Sequence, residues 1–94
     1  MNQHLLLIED DVRLANMVSE YLRQSGYLVD HAGDGHGGLT MLQSITPNLV
    51  VLDLMLPDMD GLEICRRIRA LPGALGATPI LMLTAKGDPM DRII

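Results

Sequence analysis

Phenylalanine and tryptophan are missing from this sequence, and only two tyrosines stand among its 94 residues. A core built without these rings is filled by Leu, Ile and Val, with seven methionines as adaptable gap fillers. Cysteine occurs once, at Cys65, which excludes an internal disulfide. Basic residues are outnumbered, seven Lys and Arg against twelve Asp and Glu, for a net charge of −5. That balance argues against a nucleic-acid or anionic-membrane surface within the chain. No apolar run approaches the roughly 18 residues of a membrane span, and the N-terminus lacks a signal-peptide pattern. At 48% hydrophobic the composition is globular. The expectation is one soluble, cytoplasmic domain over residues 1–94, without a linker, repeat or low-complexity segment.

What is present is a set of short apolar runs that end in polar residues. Leu49-Val50-Val51-Leu52 closes on Asp53, and Leu5-Leu6-Leu7-Ile8 closes on Glu9, Asp10 and Asp11. Ile80-Leu81-Met82-Leu83 closes on Thr84, and a weaker run spans Leu28 to Ala32 with Asp30 and His31 inside it. The three strongly apolar runs predict strands buried on both faces, and the weaker one suits a sheet edge. Between them lie helical patterns. Leu14, Met17, Val18, Tyr21 and Leu22 predict one helix, stopped at Gly26. Leu39, Met41, Leu42 and Ile45 predict a second, closed by Pro47. Leu62, Cys65, Ile68 and Leu71 predict a third, followed by loops at Pro72-Gly73 and Gly76 to Pro79. A fourth helix is expected from Asp88 or Pro89 to the last residue, Ile94. The order β-α-β-α-β-α-β-α predicts a doubly wound α/β fold: a parallel sheet with right-handed crossovers and helices on both faces.

In a parallel sheet every strand ends on the same edge, which gathers Glu9, Asp10, Asp53 and Thr84 there. Ligands of open α/β sheets bind at that edge, where the strand order reverses. With the order 2-1-3-4 the reversal falls between the first and third strands, beside Asp10 and Asp53. Clustered carboxylates repel and raise one another's pKa unless a cation joins them. Oxygen donors alone favour Mg2+ or a similar hard ion over Zn2+. A metal, a carboxylate nucleophile and a hydroxyl together suit phosphoryl transfer, with Asp53 as the candidate nucleophile.

These residues carry a family likeness. Leu7-Ile8-Glu9-Asp10-Asp11, Asp53 within Leu52-Asp53-Leu54-Met55-Leu56-Pro57-Asp58-Met59-Asp60-Gly61, and Leu83-Thr84-Ala85-Lys86 resemble the receiver domain of two-component response regulators. The wording around Asp53, with Thr84-Ala85-Lys86-Gly87-Asp88, is similar to the OmpR-type class, whose members carry a C-terminal winged-helix DNA-binding domain. The resemblance implies a flavodoxin-like sheet of order 2-1-3-4. It implies a signalling phosphoacceptor rather than an enzyme, with Asp53 accepting a phosphoryl group from a sensor histidine kinase. It places Mg2+ on the side chains of Asp10 and Asp53 and the main-chain carbonyl of Met55, with Glu9 assisting through water. Thr84 is then the switch hydroxyl, and the added phosphoryl charge biases the switch. Transcription would be controlled by a DNA-binding domain outside this chain.

Receivers continue into a fifth strand, ending in an essential Lys, and a fifth helix. The sequence leads to neither, and Lys86 stands at a different position. The expectation is therefore a receiver truncated before its fifth strand and phosphorylated weakly or not at all on its own. Its fourth strand would be an open edge, inviting a dimer or swapped oligomer through that strand or the helix after it. The alternative function is a non-switching receiver that serves as a dimerisation or interaction module. A haloacid-dehalogenase-like phosphatase would need an Asp two residues after the nucleophile, where Met55 stands.

The remaining features have plainer readings. Gly33, Gly35 and Gly38 match a dinucleotide fingerprint, but after the second strand rather than the first, which favours a flexible turn. Asp58 and Asp60 read as turn residues, and Cys65 as packed core. His4, His31 and His36 read as surface or edge residues. Arg66, Arg67 and Arg69 read as a solvated helix face.

Overall fold

The structure, a computed structural model, describes residues 2–83 and 92–93. Four parallel strands carry the fold: β1 His4–Ile8, β2 Leu28–Ala32, β3 Leu49–Asp53 and β4 Ile80–Leu83. Their order is β2-β1-β3-β4, the doubly wound order expected of a flavodoxin-like receiver. Three helices cross between them: α1 Val12–Gln24, α2 Gly35–Ile45 and α3 Gly61–Arg69. A short 3-10 turn at Gly73–Ala77 fills what the sequence predicts as irregular loop before β4.

Side chains alternate across a strand, and here both faces are covered. Leu6 and Ile8 point to one side, where Val50, Leu52, Ile80 and Met82 meet Leu42 of α2 and Ile64, Cys65 and Ile68 of α3. Leu5 and Leu7 point to the other side, with Val29, Val51 and Ala15 of α1. This two-sided burial is why the strands read as unbroken apolar runs. The register carries the same alternation from strand to strand, with Leu6 opposite Val50 and Leu7 opposite Val51.

The helices depart from the predicted stripes in one respect. On α1 the sheet-facing residues are Ala15 and Ser19, flanked by Val18 and Leu22, while Leu14, Met17 and Tyr21 are exposed. Two faces of α1 carry apolar residues, and the one with small side chains lies on the sheet. On α3 Ile64 is buried and Leu62 is 43% exposed, so the inward face runs through Ile64, Cys65 and Ile68.

The chain end also departs from expectation. Arg92–Ile93 forms a two-residue strand, β5, rather than part of a fourth helix. It pairs antiparallel with β4, Leu81 opposite Ile93 and Met82 opposite Arg92. The edge of β4 predicted to be open therefore carries a partner along those residues. The expected start of the fourth helix, at Asp88 or Pro89, lies outside the described residues, as do Thr84 and Lys86.

Candidate functional site

The parallel register sets Ile8 opposite Leu52, and β3 opposite β4 from Val50–Ile80 through Asp53–Leu83. The residues that follow β1 and end β3 therefore share one sheet edge. Glu9, Asp10 and Asp53 each bring a carboxylate oxygen into a cluster whose members all lie within 4.8 Å of one another. Asp11, the next acid, does something different. It is the N-cap of α1 and accepts the N–H of Leu14 at 3.1 Å. The acidic run thus divides, two residues to the cluster and one to the helix.

Glu9 is the buried member, 5% exposed. Its backbone is tied on both sides, its N–H donating to the Ala32 carbonyl at 3.0 Å and its own carbonyl accepting from His31 Nε2 at 2.6 Å. A carbonyl can only accept, so Nε2 of His31 is the donor in this contact. The Glu9 side chain accepts the Asp11 N–H at 3.0 Å. Burial pushes its pKa up to about 7, against that hydrogen bond and with the Asp53 and Asp10 carboxylates adding repulsion. A buried acid beside two other carboxylates concentrates negative charge, and the donors of the cluster are all hard oxygens. This donor set fits Mg2+.

After Asp53 the chain turns sharply toward α3. The Met55 N–H points to Asp53 Oδ1 at a long 3.4 Å. Met55 forms an isolated antiparallel bridge with Asp60, and the Gly61 N–H donates to the Leu54 carbonyl at 2.8 Å. A Cβ at Gly61 would lie 2.9 Å from Leu54 Cα and 3.0 Å from the Asp53 carbonyl oxygen, so the close return needs glycine. Asp60 caps α3 through the Leu62 N–H at 2.8 Å.

Thr84, the remaining candidate, lies outside the described residues, one position past Leu83. Two contacts escape a reading of the sequence. His31 holds the Glu9 backbone, and its only sequence signal is a polar residue near the end of β2. Asp58, predicted as a turn residue, reaches Gly35 and His36 of α2. Away from the site, Arg66 and Arg67 pair with Glu63, while Arg69 donates to the carbonyls of Gly76 and Thr78. His4 pairs with Asp30. Cys65 is buried, which pushes its thiol pKa up.

Acids at the switch point of a parallel α/β sheet define a class of ligand-binding site. The chain belongs to the response regulator receiver domain family, whose profile matches residues 5–94. It is 44% identical to the DNA-binding response regulator MtrA of Mycobacterium tuberculosis, over all of this chain and 40% of that protein. It is 37% identical to the alkaline phosphatase synthesis transcriptional regulatory protein PhoP of Bacillus subtilis, over all of this chain and 38% of that one. Both comparisons match the OmpR-type likeness, and the chain spans about 40% of the length of such relatives. Among solved structures, the chemotaxis response regulator CheY4 of Vibrio cholerae superposes with a TM-score of 0.85 at 31% identity, covering 95% of this chain and 73% of that one. The N-terminal domain of a response regulator receiver protein from Methanoculleus marisnigri gives 0.84 at 36% identity, covering 89% and 68%. Among the described residues no helix is long and apolar enough to cross a membrane.

Proposed function

We propose that this chain is a phosphoacceptor, receiving a phosphoryl group on Asp53 from a sensor histidine kinase. The observation that carries the reading is the convergence of Glu9, Asp10 and Asp53 at the switch point of the sheet. The side chains of Asp10 and Asp53 and the Met55 carbonyl would hold Mg2+, with Glu9 assisting through water. The ion, when bound, offsets charge on the phosphoryl oxygens. An Asp53 carboxylate oxygen attacks phosphorus, an acyl phosphate bond forms, and the bond to the donor histidine nitrogen breaks. The nitrogen keeps the bonding pair and takes up a proton. Thr84 is the switch hydroxyl in this reading, and the new charge on Asp53 is the signal. In the longer protein that signal controls transcription through a DNA-binding domain.

Incubation with Mg2+ and a small phosphodonor tests the reading. Phosphate that is labile to alkali and hydroxylamine, as an acyl phosphate is, appears on the parent chain and is lost in Asp53→Asn. Label that persists in Asp53→Asn sinks the assignment of the acceptor. Self-association through β4, the interaction-module alternative, is narrowed by Arg92–Ile93, which such pairing must displace.

A further inference from the structure

The glycine-rich stretch Gly33 to Gly38 is not absorbed by the receiver reading, yet it does bind an anion. The first N–H groups of a helix have no partner within the helix and favour negative charge. On α2 two carboxylates take them. Asp34, the N-cap, accepts the Gly37 N–H at 2.7 Å. Asp58 accepts the N–H of Gly35 at 2.7 Å and of His36 at 2.9 Å, and its Oδ2 lies 2.6 Å from His36 Nδ1. These backbone donors, Gly35 first, hold the Asp58 carboxyl well below the usual carboxylate range. The first amides of α2 are thus taken by the chain's own carboxylates.

The docking is built on both sides. A Cβ at Gly35 would lie 2.6 Å from Met59 Cγ and 3.0 Å from Ile64 Cδ1, so the glycine admits Met59 beside Asp58. The docked segment is the loop between Asp53 and α3. Its far end is closed by Gly61 N–H on the Leu54 carbonyl and by the bridge from Met55 to Asp60. Met55 therefore lies between the strand end at Asp53 and an anchor on α2.

We propose that Asp58 is a positioning residue: by docking on the N-terminus of α2 it fixes the loop 54–60, and with it the Met55 carbonyl, relative to Asp53. A capping carboxylate that served α2 alone would come from the helix's own flank, as Asp34 does. Asp58 comes from the loop before α3 and ties two crossovers together. For its metal consequence the inference rests on the Mg2+ reading of the acid cluster. For the loop itself it does not.

The test compares Asp58→Ala and Asp58→Asn with the parent chain by amide hydrogen exchange in the absence of metal, then by Mg2+ titration. In Asp58→Ala exchange accelerates at Gly35 and His36 and also at Gly61, while the amides of β1 keep their protection and report an intact fold. The Mg2+ dissociation constant rises about tenfold, as for other outer partners of metal ligands. Asp58→Asn keeps an acceptor oxygen and recovers part of both effects. Acceleration confined to Gly35 and His36, with Gly61 protection at the parent value, overturns the proposal, because Asp58 then only caps α2. If the parent chain binds no Mg2+, the metal reading fails, and Gly61 exchange alone decides whether Asp58 positions the loop.

Discussion

Ile8 and Leu52 stand opposite each other in the parallel register of β1 and β3, so Glu9, just past β1, and Asp53, the last residue of β3, come side by side at the sheet edge. The register is set by burial. Slipping β3 by one residue would turn Val50 and Leu52 out of one core layer and would also separate the acids. Fold and site are therefore one arrangement here. The same apolar alternation that packs the sheet brings the carboxylates together.

That crowding makes stability depend on pH and on metal. Glu9 is raised from 4.5 to about 7, chiefly by burial. A raised acid contributes stability that is fully present below its unfolded value and is lost as pH rises through its folded value. Without metal, the melting temperature should fall between about pH 4.5 and 7. Mg2+ nearby favours the ionised form of Glu9, so the affinity for Mg2+ should rise across the same range. Glu9→Gln should flatten both slopes. Thermal melts with and without Mg2+ check this, and a metal-free Tm that climbs through that window contradicts the assignment.

The close return of the chain at Gly61 predicts a second effect. Alanine is the better helix former by about 1 kcal/mol, which alone would favour Gly61→Ala at the start of α3. The added Cβ meets backbone, Leu54 Cα and the Asp53 carbonyl, and backbone gives way poorly. The variant should lose about 1–3 kcal/mol in urea unfolding, the usual cost of overpacking. Its Mg2+ affinity should fall as well, because the displaced atoms adjoin Asp53. Unchanged stability would show that the loop relaxes without cost.

On α1 the most deeply buried apolar residue is a small one. Ala15 is 1% exposed against the sheet, while Met17 is 69% exposed. Met17→Glu should change stability by no more than about 0.5 kcal/mol, as surface substitutions usually do. Ala15→Glu should abolish cooperative unfolding, because it buries an unpaired charge in the layer of Leu5, Leu7 and Val51. Equal effects of the two changes, measured by circular dichroism in denaturant, would restore the stripe predicted from the sequence.

The strands were legible because each is written locally as a short apolar run, and the acid cluster because β1 and β3 carry acids at their ends that the expected sheet order brings together. The inward face of α1 was legible only in part, through Val18 and Leu22, which pack on the core. Hydrophobicity favours Leu14, Met17 and Tyr21, whereas close approach to a sheet favours Ala15 and Ser19, and periodicity alone cannot rank the two. The grip of Asp58 on Gly35 was hidden for another reason. Its partners lie on different crossovers and meet only once the sheet order is known. His31 on Glu9 is the same case, a contact across neighbouring strands that no spacing encodes.

The end of the chain offers the last test. Ile80 to Leu83 is apolar and uncharged, the kind of strand that pairs with other chains when its edge is bare. Arg92–Ile93 occupies that edge opposite Leu81 and Met82. Proline has no N–H to donate and is poorly accepted in a ladder, so Ile93→Pro should release β5 and bare the edge. The expected result is a sedimentation coefficient that rises more steeply with concentration in Ile93→Pro than in the parent chain. The sheet itself should persist, since β4 keeps its parallel pairing with β3 from Ile80 to Leu83. A variant no more self-associating than the parent would mean that β4 is not an adhesive edge, which would also remove the ground for an edge-to-edge dimer.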